Sequence, residues 1–106
     1  MNRACTHPEN LNLRPEQRDH SLAGFAKGLA HPVRVRLLRC LAENDECIGG
    51  ELVASLGLAQ STVSEHLRIL REAGLVKAEP RPPRTCYRLA PGTIEQLRDL
   101  LQELSG

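Results

Sequence analysis

The chain is almost devoid of aromatic residues, with one Phe, one Tyr and no Trp among its 106 residues. Its core must therefore be built from aliphatic side chains, and Leu, Val, Ile and Ala at helical spacing favour a mainly α-helical fold. Because 41% of the residues are apolar, the chain can fill the core of one small domain but is too short for a second.

The chain also lacks a large net charge and a long apolar run. Its 14 basic and 13 acidic side chains leave a net charge of +1, which excludes a strongly basic coat but allows a local basic surface. No apolar run is long enough to span a membrane, and the first residues lack the apolar segment of a secretory signal. We therefore expect a cytoplasmic protein with reduced cysteines and no membrane partner.

Helical periodicity begins after a polar segment. Residues 1–15 are predicted to form a flexible N-terminal tail, and residues 16–106 one domain. His31-Pro32 is expected to end a first helix and begin a second, since Pro suits the first turn. The predicted apolar faces consist of Leu22, Phe25, Ala26 and Leu29 in the first helix and of Val33, Leu37, Cys40 and Leu41 in the second. Arg34, Arg36 and Arg39 are predicted to lie largely off the second face.

Residues 51–74 have the pattern of two helices joined by a tight turn. A short helix over Glu51–Leu56 is followed by Gly57, which can adopt the left-handed conformation that such a turn needs. A second helix is predicted from about residue 61, where Thr62 and Glu65 have the spacing of a capping box. Its buried face is predicted to consist of Val63, Leu67 and Leu70.

Two strands and a last helix complete the predicted fold. The strands cover residues 75–79 and 85–89, on either side of the proline-rich segment 80–84. The last helix, over Thr93–Leu104, has an apolar stripe of Ile94, Leu97, Leu100, Leu101 and Leu104. This order of elements predicts a mainly α winged helix-turn-helix domain with a small β-hairpin.

The second helix of the motif carries candidate DNA-binding residues. A helix fits the major groove, and short polar side chains on its outer face can reach base edges. Gln60 and Thr62 can bond to bases or phosphates, Glu65 can accept from a cytosine amino group, and Arg68 can contact guanine or phosphate. For Thr62 and Glu65, capping the helix is the alternative role. Six basic and three acidic residues give residues 60–90 a net charge of +3, on the side where a duplex would lie.

Four segments carry a distinctive pattern: LAHPVR at residues 29–34, LGLAQSTVSEHL at 56–67, LREAGLV at 70–76 and CYRL at 86–89. In these segments the chain resembles the ArsR/SmtB (arsenic-repressor) family of bacterial winged-helix regulators. The resemblance implies a homodimer formed by the first and last helices, with Arg81 and Arg84 at the tip of the wing. It also implies that the DNA-contacting positions are Gln60, Ser61, Thr62, Ser64 and Glu65.

Members of this family usually leave DNA when a metal ion, arsenite, antimonite or a sulfur oxidant binds. The chain departs from two of the family's sensor patterns. Of the two cysteines in the arsenite signature, only Cys47 is present, and residues 93–106 contain no His for the zinc site on the last helix. We therefore expect that zinc site to be absent.

Cys47 and Cys86 are the candidate thiol pair. In winged folds the segment before the first motif helix tends to lie against the second wing strand, which would bring these residues together. Alternation along that strand is expected to place Cys86 on an accessible face, opposite the side chains that face the core. Two thiolates suit a soft metal ion, and arsenite favours three, so Cys5 is the candidate third ligand. Cys40 is predicted to belong to the core.

Several functions remain open at this point. The favoured one is a repressor of double-stranded operator DNA that needs no cofactor to bind and is released by arsenite, antimonite or a soft metal ion. A thiol-redox or polysulfide switch with the same cysteines is an alternative, as are inert cysteines and a winged-helix protein-interaction module. An enzyme is not favoured, because the four histidines have simpler roles and no phosphate loop or carboxylate pair is present.

Overall fold

The structure, a computed structural model, describes residues 14–43 and 56–106. These residues form the helices α1 (Pro15–Leu29), α2 (Pro32–Glu43), α3 (Gln60–Glu72) and α4 (Thr93–Ser105), and the strands β1 (Val76–Arg81) and β2 (Arg84–Leu89). The predicted fold class, a mainly α winged helix, is confirmed. Cys5, Cys47 and all but the last residue of the predicted helix over Glu51–Leu56 lie outside the described residues.

The turn between α1 and α2 lies where the sequence predicts it. α1 ends at Leu29 and α2 begins at Pro32. Proline suits the first helical position, because an N–H there would have no acceptor within the helix. The imidazole of His31 caps α2, because its Nδ1 accepts the backbone N–H of Val33 at 3.1 Å.

α3 begins without the predicted capping box. Its N-cap residue is Ala59, which makes no side-chain cap bond, and both Thr62 and Glu65 lie inside the helix. That prediction was wrong because α3 begins at Gln60, which places Thr62 inside the helix rather than at its N-cap. Glu65 pairs with Arg68, one turn further along α3. Gly57, in the turn before α3, has a φ of 65°, which confirms the left-handed conformation expected there.

The hairpin is longer than predicted and has a minimal turn. β1 and β2 pair antiparallel from Val76 opposite Leu89 to Arg81 opposite Arg84, so that only Pro82-Pro83 connects them. The peptide bond between these two prolines is cis. The two strands therefore extend the ladder as far as the two arginines that flank the turn.

Among the described residues, the buried core is aliphatic apart from the ring of Phe25. Its buried members are Phe25, Leu37, Leu38, Leu41, Val63, Leu67, Leu70, Leu75, Val76, Leu97 and Leu100. Two predictions about the faces of α1 and α2 were wrong. Ala26 is exposed and Gly28 is buried instead, because α1 approaches α3 too closely at that point for a side chain. Arg34 is buried, because α1 offers it carbonyl oxygens.

α4 divides its apolar residues between two environments. Leu97 and Leu100 are buried in the core, whereas Ile94, Leu101 and Leu104 remain 43%, 50% and 75% exposed. Only part of the predicted apolar stripe is therefore buried within one chain. None of the helices in residues 14–43 and 56–106 is both long and apolar enough to cross a membrane.

Candidate nucleic-acid interface

α3 is held to the protein by one face and presents the other to solvent. Val63, Leu67 and Leu70 are at most 5% exposed, which confirms the predicted buried face of the helix. The five positions implied by the family resemblance all lie on the exposed side: Gln60, Ser61, Thr62, Ser64 and Glu65. These polar side chains of α3 are therefore accessible to solvent.

Arg68 lies on the exposed side of α3, where it is held between two carboxylates. It donates from Nε and Nη2 to both oxygens of Glu65, at 3.0 and 2.6 Å, and from Nη1 to Glu72 at 2.5 Å. The bonds from Arg68 lower the pKa of Glu65, and the two carboxylates raise the pKa of Arg68. To contact a base or phosphate, the guanidinium would have to exchange these carboxylates for the nucleic acid.

The wing tip presents two cations side by side. Arg81 and Arg84 are exposed and face each other across the last register position of the hairpin. Further down the hairpin, Nε of Arg88 lies 2.8 Å from a carboxylate oxygen of Glu79, so that this cation is already paired. The wing tip therefore carries two exposed positive charges, and Lys77, near the start of β1, is also exposed.

Cys86 differs from its prediction in two ways. It is only 6% exposed, although alternation does place Tyr87 and Leu89 against the core cluster. The prediction of an accessible thiol was wrong because alternation gives the face of a residue but not what covers that face. Cys86 is also disulfide-bonded, so the expectation of reduced cysteines is wrong for this residue. Cys40 packs against the core, as predicted.

Sequence reasoning missed one polar contact behind the exposed face of α3. Arg34 of α2 donates from Nη1 to Nδ1 of His66, at 3.2 Å, on the side of α3 that faces the protein. The spacing of Arg34 from Leu37, Leu38 and Leu41 (i+3, i+4 and i+7) could have indicated its burial, because these positions share one helical face.

A helix with an apolar anchor and an exposed polar face, followed by a hairpin with a basic tip, defines a winged-helix DNA-binding protein. Residues 31–78 match the arsR family of bacterial regulatory proteins. The chain belongs to this ArsR family of DNA-binding transcriptional regulators, which confirms the resemblance noted in its sequence. Membership of the family also confirms that the protein is not an enzyme.

Individual relatives cover most of the chain. It is 34% identical to the biofilm growth-associated repressor of Xylella fastidiosa over 91% of its own length and 83% of the relative's. The solved structure of HlyU from Vibrio cholerae has a TM-score of 0.69 and 31% identity, and the match covers 84% of this chain and 96% of HlyU. The structure of the cadmium sensor CmtR from Mycobacterium tuberculosis has a TM-score of 0.57 and 40% identity, with 76% and 80% of the two chains covered.

Proposed function

We propose that the protein is a homodimeric transcriptional repressor that inserts α3 into the major groove of operator DNA in the cytoplasm. The observation that carries this proposal is the amphipathic division of α3, whose apolar side is buried while five adjacent polar positions are exposed. The wing tip, with Arg81 and Arg84, would then lie against the neighbouring backbone. The Xylella fastidiosa relative is named a repressor, which supports repression as the outcome of binding.

The proposed dimer uses the apolar surface of α4. Ile94, Leu101 and Leu104 form an exposed stripe that a second copy would cover together with α1. A two-fold dimer presents two α3 helices to two half-sites, which lie about 34 Å apart when they are one turn of duplex from each other. Residues 16–106 would thus serve both DNA binding and dimerisation.

The proposed inducer is a thiophilic ligand. In the reduced protein, Cys47 and Cys86 would supply two thiolates to arsenite, antimonite or a soft metal ion, and Cys5 a third. The CmtR relative is described as a cadmium sensor, which supports a soft ion. A ligand bound there would favour a dimer geometry that no longer spans both half-sites, through a coupling free energy of about 1–3 kcal/mol.

A second candidate signal is oxidation of the same thiols. The observation that favours it is the disulfide of Cys86, a cysteine that is only 6% exposed. In this mechanism two thiols lose two electrons and two protons to an oxidant such as a polysulfide, and the bond formed replaces a bound ion as the signal. The two candidates differ in whether a reductant or a chelator restores DNA binding.

The DNA-binding proposal is tested with a duplex that the protein selects from a randomised library. Affinity for this duplex should fall as salt rises, with a log–log slope of about −0.9 for each phosphate neutralised. Gln60→Ala and Arg68→Ala should weaken binding and leave the dimer intact, whereas Gln102→Ala, on the exposed side of α4, should bind as wild type. Failure to enrich any sequence, or affinity that is insensitive to salt, would favour a protein-interaction module.

A further inference from the structure

Arg34 joins three helices behind α3. Only 9% of this residue is exposed, and each of its guanidinium nitrogens has an acceptor. From α2, Nε donates to the carbonyl of Gly28 at 2.8 Å and Nη2 to that of Lys27 at 3.3 Å, both in the last turn of α1. Nη1 donates to Nδ1 of His66 in α3 at 3.2 Å. One buried side chain therefore connects the end of α1 to the middle of α3.

The contact with Arg34 determines the protonation state of His66. A guanidinium has no acceptor, so Nδ1 of His66 must accept, and the ring is neutral with its proton on Nε2. The neighbouring ring of His31, whose centroid is 4.6 Å away, accepts the N–H of Val33 with its Nδ1. The bond from Arg34 to His66 exists only while Nδ1 of His66 carries no proton.

The charges around His66 oppose its protonation. Arg34 faces the His66 ring from α2, and His31 faces it from the turn between α1 and α2. Glu65 precedes His66 on α3. Lys27 of α1 contacts Arg34 with its backbone carbonyl, which accepts a bond from Nη2. Burial lowers the pKa of His66 most, His31 and Arg34 lower it further, and Glu65 raises it. A proton on Nδ1 would remove the acceptor and place two cations against each other.

We infer that Arg34 positions α3 for binding to DNA, and that it does so only while His66 is neutral. His66 immediately follows two proposed DNA-contacting residues, Ser64 and Glu65, so a shift of α3 at this point moves the surface that faces the duplex. Arg34 itself lies behind the helix and acts through His66 rather than on the DNA. The inference rests on the proposed DNA-binding function, and it adds that acidic pH weakens binding to DNA.

Two substitutions of His66 separate the hydrogen bond from the titration. In His66→Asn, the amide oxygen takes the place of Nδ1 as an acceptor that cannot be protonated; in His66→Gln, the oxygen lies one bond further out. With the selected duplex at about pH 8, we expect His66→Asn to bind within about twofold of wild type and His66→Gln about tenfold more weakly. Because the pKa of His66 is lowered, wild type should lose affinity relative to His66→Asn as the pH falls below about 6.5. A wild-type to His66→Asn ratio that does not change with pH would overturn the inference.

The matched pair for the arginine is Arg34→Lys and Arg36→Lys, because Arg36 lies on the exposed side of the same helix. A lysine keeps the charge but cannot serve three acceptors in fixed directions, so Arg34→Lys should bind about tenfold more weakly and Arg36→Lys like wild type. Binding is measured at a temperature where all variants are folded, as judged by their circular dichroism. If Arg34→Lys loses thermal stability but keeps its affinity, Arg34 serves folding alone and the inference fails.

The outcomes also distinguish this inference from the function on which it rests. A wild-type protein that selects no duplex contradicts the proposed function, and the inference with it. A protein that selects a duplex but keeps its affinity in Arg34→Lys or in His66→Gln contradicts the inference alone. Nitrogen chemical shifts of the His66 ring provide a direct check, because at neutral pH they should show the proton on Nε2.

Discussion

Gly28 lies so close to Ala73 that a Cβ added to the glycine would be 2.8 Å from the Cβ of Ala73. The same added atom would be 2.9 Å from Cδ1 of Leu75. The last turn of α1 therefore packs directly on the end of α3 and the residues that follow it. This is also the turn whose carbonyls receive Arg34, so α1 and α3 are joined by a close packing contact as well as by hydrogen bonds.

We expect Gly28→Ala to destabilise the protein by about 1–3 kcal/mol, because the added methyl group overpacks this contact. Gly24→Ala is the matched control, since it lies in the same helix with no atom within 4 Å of the added Cβ. That substitution should stabilise the protein by about 0.5–1 kcal/mol through helix propensity. Urea unfolding of the two variants measures the difference, and equal stability of both would contradict the close approach of α1 to α3.

We expect Leu101→Glu to convert the proposed dimer into a monomer. The side chain is 50% exposed in the single chain, so a charge there costs little in the monomer but would be buried without a partner in the dimer. Gln102→Glu introduces the same charge at an exposed neighbouring position and should leave the dimer unchanged. Sedimentation equilibrium measures both. A Leu101→Glu protein that remains dimeric would place the interface elsewhere.

We expect Arg81→Ala and Arg84→Ala to weaken binding to all duplexes by a similar factor. Each removes a cation from the wing tip, and the slope of log affinity against log salt should become shallower by about 0.9 for each phosphate that is no longer neutralised. Gln60→Ala should instead change the preferred sequence, because Gln60 lies on the exposed face of α3. Fluorescence anisotropy over a range of salt concentrations tests this division. Unchanged salt slopes would show that the wing tip does not touch the backbone.

We expect reduced Cys47→Ser and Cys86→Ser proteins to bind the selected duplex but not to release it with arsenite. Each variant lacks one thiolate of the proposed pair, whereas Cys40→Ser should release normally because Cys40 packs against the core. Normal release by both pair variants would show that the pair is wrong. Loss of the response in Cys40→Ser would instead contradict its assignment to the core. In the oxidised wild type, recovery of binding with dithiothreitol rather than with a chelator would favour the redox mechanism.

The sequence predicted the elements of this fold well and its tertiary contacts less well. The break at His31-Pro32 and the hairpin depend on local preferences of proline and β-branched residues, so they could be found from sequence alone. The spacing of Arg34 could have indicated its burial but not the α1 carbonyls that accept its bonds, and burial of Cys86 depends on what covers a hairpin face. Such contacts are set by packing between distant segments, which periodicity does not report.

The exposed face of α3 could be predicted from sequence, because it lies opposite the apolar stripe that helical periodicity reveals. The capping box failed because α3 begins at Gln60, so that Thr62 is not at the N-cap. Glu65 has the right spacing to cap the helix with Thr62, but it also has the right spacing to pair with Arg68, and the ion pair is the one observed. Sequence spacing alone gives both possibilities equal weight.

The two parts of the proposed interface carry different charge. α3 contains two arginines and two glutamates, whereas the hairpin from Val76 to Leu89 contains four basic residues and one acidic residue. If the helix determines sequence specificity while the hairpin contributes sequence-independent affinity, these two properties can change independently in evolution. Substitutions in the hairpin would then alter the fraction of the protein that is bound to non-specific chromosomal sites, without altering which promoters it prefers.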